Sequence, residues 1–258
     1  MLSYTGVGLA VDNSLAPSGQ LLLGGLTWIA LAAALTQVSP EWRIQVVFVV
    51  AIATAGEALA SLVLGLYTYR LDNLPLFVPP GHGLVFIAGL SLATMCAKRR
   101  GVLVALAVAG VGLWGVVGVT MLAHPDVAGV FGAIALALVL LWTRRAAYAG
   151  MFVVVAALEL YGTAVGAWTW AAAVPHTAVP MANPPSGVAS GYVLLDIAAA
   201  AAATCFGKTR GADQIRTGVR GFAGLCLTTR PRRRGKPWYP GRFRLWLPAR
   251  VSRPATSR

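Results

Sequence analysis

Residues 56–86 read "GEALASLVLGLYTYRLDNLPLFVPPGHGLVF" and residues 158–192 read "LELYGTAVGAWTWAAAVPHTAVPMANPPSGVASGY", and the second repeats the first with variations. Glu57 falls on Glu159, Ser61 on Thr163, Gly65 on Gly166, and Tyr67 and Tyr69 on Trp168 and Trp170. Pro75 falls on Pro180 and Pro79-Pro80 on Pro184-Pro185, with offsets that drift only from 101 to 105. Apolar helices resemble one another by composition alone. An acid, a hydroxyl, a glycine, an aromatic pair and three prolines in one order do not arise that way, so the chain reads as an internal duplication.

Both copies sit in a very apolar chain. With 57% apolar and 11% charged residues and a mean hydropathy of +0.71, an ordinary soluble domain is excluded. Apolar stretches long enough to cross a bilayer lie near residues 20–38, 45–68, 83–97, 102–123, 127–143, 147–170 and 188–206. The expected fold is therefore all-α, a polytopic integral membrane protein of about seven transmembrane helices, the third and fifth of them short. Residues 1–19 lack a basic region ahead of an apolar core, so they are expected to be an extracytoplasmic segment rather than a cleaved signal peptide.

The duplication adds architecture. Its copies contain the second and sixth spans, an even number of crossings apart, which must run in the same direction. Two parallel three-helix repeats, about 20–98 and 127–207, would be joined by a linker helix at 102–123 and related by a pseudo-two-fold along the membrane normal. A functional cavity is expected where they face each other.

Charge sets the orientation. One side collects Arg43, Lys98, Arg99, Arg100, Arg144, Arg145, Lys208 and Arg210, and the other only Arg70. The positive-inside rule then puts the amino terminus outside and the carboxyl terminus in the cytoplasm of a multi-pass inner (plasma) membrane protein. The net charge of +13 comes entirely from the end of the chain: residues 1–207 hold 7 Lys/Arg and 7 Asp/Glu, residues 208–258 hold 14 and 1.

Counted from the inner start of their spans, Glu57 and Glu159 lie twelve residues in, roughly 18 Å deep and near the bilayer midplane. A carboxylate in hydrocarbon is costly, so such residues face a bundle interior and serve a purpose, structural or functional. Ser61 and Thr163 follow at i+4, where a hydroxyl reaches the carboxyl or the backbone. Asp196, in "YVLLDIAAAAAA", is a third intramembrane acid. Tyr67, Tyr69, Trp168 and Trp170 suit an interfacial belt. On a helix, i and i+2 point to different faces, so one of each pair would face lipid and the other the mouth of a cavity.

The proline segments "PLFVPPGHG" and "PMANPPSG" are expected to be extended loops or re-entrant pieces. His82, His124 and His176 fall in outer loops, with Asp72 and Asp126. No two show the spacing of a preformed metal site, so neither metal nor cofactor is expected. Nucleophile-elbow, phosphate-loop and dinucleotide signatures are missing, which argues against hydrolase, NTPase and dehydrogenase chemistry.

The order acid, glycine, aromatic-x-aromatic and proline-rich outer segment, given twice in a seven-span chain, resembles the membrane-embedded carotenoid-biosynthesis proteins, the heterodimer-type lycopene cyclases and related carotenoid hydratases. Where the cyclases carry P-x-E-E, this chain has Gly81 and His82 in one copy and Ser186 and Gly187 in the other. The resemblance implies an enzyme that protonates an isoprenoid double bond within the membrane. Glu57, Glu159 or Asp196 would be the acid, and Ser61, Tyr67, Tyr69, His82, Thr163, Trp168, Trp170 and His176 would contact the substrate.

Three functions stay open. One is proton-dependent modification of an isoprenoid or other lipid in an acid-lined cavity open to the extracytoplasmic side. The second is a carrier or flippase working through the paired acids, and the third is a non-catalytic membrane partner in envelope-lipid assembly. The tail, 208–258, mixes Arg, Gly, Pro and aromatics without periodicity and reads as disordered. Read as codons, Ile215–Thr217, Gly221–Gly224 and Leu227–Pro231 spell the complements of a T-loop, a cysteine anticodon stem-loop and a D-arm, in that order. The tail thus resembles antisense translation of a cysteine transfer-RNA gene, and no nucleic-acid partner is expected from it.

Overall fold

The computed structural model describes residues 2–209, so the reading of the arginine-rich tail lies outside the described residues. Helices α1 (Leu2–Asp12), α2 (Pro17–Thr36) and α3 (Pro40–Glu57) come first, and α3 runs on as a π-helical turn, Ala58–Val63. A three-residue strand β1 (Tyr67–Tyr69) leads to α4 (Val78–Met95), a 3-10 turn at Ala97–Arg99, α5 (Arg100–Thr120) and α6 (Val127–Thr143). Then follow α7 (Ala146–Ala164), β2 (Trp168–Trp170) and α8 (Val188–Thr209). Six helices are long and apolar enough to cross a membrane, and α6, with 17 residues, is a shorter apolar helix. The chain is an all-α polytopic membrane protein.

The packing has the form of two exchanged units. α3 packs on α4 and α8, α7 packs on α8 and α4, α2 packs on α4, and α6 packs on α8. Exchanging α2, α3 and α4 for α6, α7 and α8 turns this set of neighbours into itself. α5, which lies against α6 and α7, is the linker outside the exchange. The inner faces bury Val46, Val155, Leu136, Leu140 and Val193 almost completely, whereas Leu22, Ile29, Leu106, Leu113, Phe131, Leu138 and Trp142 point outward, the apolar exterior that a lipid solvent requires. Small residues set a close crossing: a Cβ at Gly150 would lie 2.4 Å from the Gly89 carbonyl oxygen, so α4 and α7 touch backbone to backbone there.

Three expectations are corrected. Residues 78–81 are not extended, because Pro79 and Pro80 form the first turn of α4, where a missing N–H costs nothing. His82, expected in an outer loop, lies buried within α4. Asp126 is no solvated loop acid. It is fully buried and caps α6, accepting from the backbone N–H groups of Gly129 (3.1 Å), Ala182 (3.0 Å) and Ser186 (2.6 Å). Asp12 has the matching position ahead of α2, where Gln20 donates to it (3.1 Å) and Arg70 lies 3.6 Å away. Each repeat therefore pins its first helix to the loop that follows its strand through a buried aspartate.

Candidate functional site

The site is built where two helices stop. Gly65 and Gly166 take left-handed backbone at φ 64° and 73°, a conformation that costs glycine least. They turn the chain out of α3 and α7 and into β1 and β2. Glu57 to Gly65 spans one residue more than Glu159 to Gly166, and the π-helical turn in the first copy absorbs that residue.

β1 and β2 pair antiparallel, with Tyr67 opposite Trp170, Thr68 opposite Thr169 and Tyr69 opposite Trp168. Since Tyr67 corresponds to Trp168 and Tyr69 to Trp170, each residue meets the partner of its own counterpart, which is the mark of a two-fold contact. The pseudo-axis passes between Thr68 and Thr169. On a strand, i and i+2 share a face. All four aromatics therefore turn to the same side, while Thr68 and Thr169 are exposed on the other, which overturns the helical expectation of one lipid-facing member per pair. The rings meet across the pair, Tyr67 tilted against Trp170 at 4.5 Å and Tyr69 edge-on to Trp168 at 6.2 Å between centroids.

Beneath this ribbon sit the two acids. Glu57 accepts from the Tyr67 hydroxyl (2.5 Å) and the Tyr69 hydroxyl (2.6 Å) at Oε2, and its Oε1 is bonded to His82 Nε2 (2.8 Å). Glu159 accepts at Oε2 from the indole N–H groups of Trp168 (3.0 Å) and Trp170 (3.3 Å) and at Oε1 from the Tyr192 hydroxyl (3.2 Å). Each buried carboxyl is thus met by three aromatic rings, two from its own strand and one from the next helix of its own repeat. Burial, and after it the Glu57 carboxyl, push the Tyr67 and Tyr69 phenols above the ordinary tyrosine range, so both stay protonated and donate.

Depth is revised as well. With the apolar spans at Trp42–Val63 for α3 and its π-turn and at Ala146–Ala164 for α7, Glu57 and Glu159 lie about two thirds of the way along their helices, some 7–9 Å from the ends that lead into the strands at about 1.5 Å per residue. They are not at the centre of their spans.

Both acids line one cavity of about 380 Å³ between the repeats. Tyr67, Tyr69, His82, Trp168, Trp170 and Tyr192 share its wall. Apolar Phe77, Val85, Leu158 and Leu195 complete it, with Thr5 and Leu9 of α1 across one side. No lysine or arginine borders it among the described residues.

Of the eleven residues expected from sequence, seven meet here: Glu57, Glu159, Tyr67, Tyr69, His82, Trp168 and Trp170. Asp196 lies one turn further along α8, buried beside a void of about 10 Å³ that also touches His82 and Tyr192, and among the described residues none donates to its carboxyl. Ser61 is buried in the π-turn outside the cavity wall. The Thr163 hydroxyl bonds the Glu159 backbone carbonyl (2.8 Å), not the carboxyl. His176 stands apart, exposed at φ 61° in a turn closed by the Ala173–Pro180 bridge. That turn occupies the four residues by which the second loop outruns the first.

Tyr192 escaped the sequence reading. It stacks on His82 with centroids 5.1 Å apart, and each lies four residues from the start of its helix, Val78 or Val188. Aligning helix starts instead of proline pairs would have revealed it. The comparisons leave the chemistry to carry the reading: no protein family, no characterised protein and no solved structure matches this chain significantly.

Proposed function

We propose that the cavity holds a lipophilic substrate and stabilises positive charge on it, in a proton-dependent modification of an isoprenoid or similar unsaturated lipid. One observation carries the proposal: two buried carboxyls and six aromatic rings, the His82 imidazole among them, converge on a largely apolar cavity with no lysine or arginine in its wall among the described residues. Such a place repels anions, offers little to a neutral polar solute, and favours a cation through its two acids and its ring faces. Protonation of a carbon–carbon double bond forms a C–H bond and leaves a carbocation. Loss of a neighbouring proton, or capture of water with loss of a proton, completes the reaction.

Glu57 and His82 suit the proton-carrying role, because imidazole can take a proton at one ring nitrogen and release one at the other. Glu159, fixed by two indoles, suits the role of standing counter-charge. With the basic helix ends in the cytoplasm, the cavity faces the extracytoplasmic side. A carrier reading draws support from the two-fold arrangement of the repeats around the site. The same experiment separates the two readings.

A strain lacking the chain is complemented with the wild type, Glu57→Gln or Glu159→Gln, and its extracted lipids are profiled. An unsaturated lipid accumulates in the deletion and in both Gln strains at wild-type protein level, and the wild type alone converts it. A lipid complement unchanged in structure but shifted between membrane faces supports the carrier. Normal profiles in both Gln strains reject both readings.

A further inference from the structure

A second chamber of about 320 Å³ adjoins the acid cavity, sharing Thr5, Leu9, Val85 and Leu158 with it. Its remaining wall is Gly6, Leu84, Ala88, Val154, Ala157 and Tyr161, so apart from Thr5 and the Tyr161 side chain it is apolar. Its cause is visible in the packing. α4 and α7 are forced into backbone contact at Gly89 and Gly150, and the chamber opens immediately outward of that crossing, between residues 84–88 of one helix and 154–161 of the other. α1 lies across it. Ala157 and Tyr161 are exposed on the same stretch of α7 as outward-facing Val153 and Leu160, so the chamber's mouth is at the level of the apolar exterior rather than at a helix end.

We propose that this chamber is a lateral slot, taking one slender apolar chain from the surrounding lipid between α4 and α7, beneath α1, and delivering its polar or unsaturated end to Glu57 and Glu159. It rests on the reading that the acid cavity holds a lipophilic substrate. A soluble cation or sugar would need no such slot. A ligand with two bulky chains would not pass between helices in contact one turn away. The shared chemistry is a single hydrocarbon chain, of isoprenoid or straight acyl type.

Photolabelling of the full chain in lipid nanodiscs tests this, with diazirine-bearing geranylgeraniol in one arm and diazirine-bearing hexadecanol in the other, and with labelled residues mapped by mass spectrometry. Crosslinks are expected on residues 84–88 or 154–158, reduced about tenfold by Ala157→Trp at the exposed mouth, and the better-labelling arm identifies the chain type. Labelling confined to lipid-facing positions such as Leu138 and Leu141 overturns the slot, as does full labelling of the chamber in Ala157→Trp. Mapping on the wild type decides the matter even if the Trp variant fails to fold. The slot and the function fail separately: an unlabelled chamber with lipid conversion lost in the Gln strains rejects the slot alone, and a labelled chamber with normal conversion in those strains rejects the function alone.

Discussion

The two repeats place the same carboxyl on the same scaffold and surround it with different chemistry. Around Glu57 stand two phenols that donate and an imidazole able to exchange protons; around Glu159 stand two indoles and one phenol, where both indoles only donate. Geometry is held by symmetry: a glycine turn, a three-residue strand and a ring four residues into the next helix recur in both. Reactivity differs because symmetry does not dictate which ring supplies the hydrogen bond. On the proposed function, one half would move a proton and the other would hold a charge still.

Removing an acid breaks the comparison most severely. Glu57→Ala or Glu159→Ala leaves three buried donors without an acceptor, at about 1–3 kcal/mol each, so unfolding in detergent followed by circular dichroism should show a loss of several kcal/mol for either. The Gln variants keep the shape and should stay folded.

The interfaces that the exchange relates, α4 on α7 and α3 on α8, differ in tightness. Gly150→Ala drives a methyl into the Gly89 carbonyl oxygen and should cost about 1–3 kcal/mol by overpacking. Gly56→Ala meets only the Leu195 side chain at 3.5 Å and should be neutral or slightly stabilising in the same unfolding assay.

Smaller still is the removal of one donor. Tyr67→Phe deletes a hydroxyl and keeps the ring, with an expected loss of about 1 kcal/mol. Trp170→Phe removes the longest of the six bonds and should cost less at the hydrogen bond itself. An equal fall in lipid conversion for the two variants would argue against the division of labour between the acids.

Much of this was legible in the chain. The apolar spans fall on helices in order, and the repeated motif named both acids and both aromatic pairs. Three-residue strands were hidden because "YTY" and "WTW" follow long apolar runs without a break other than Gly65 and Gly166. Those glycines, taken as helix ends, would have changed the period from helix to strand. Tyr192 was obscured by the four extra residues around His176 and by prolines that enter α4 but precede α8. The burial of Asp126 depends on the backbone of Ala182 and Ser186 and that of Asp12 on the Arg70 side chain, both far away in sequence, which no local pattern announces.

The proposed function turns on a preference of this cavity for positive charge on a lipophilic ligand. It is tested most directly by titrating the purified chain with a long-chain tertiary amine, protonated at neutral pH, and with its neutral hydrocarbon isostere, following tryptophan emission from the site. The amine is expected to bind at least about tenfold more tightly, with the preference lost in Glu57→Gln and Glu159→Gln. Equal affinities for the two compounds, or a preference that survives in both variants, would contradict it.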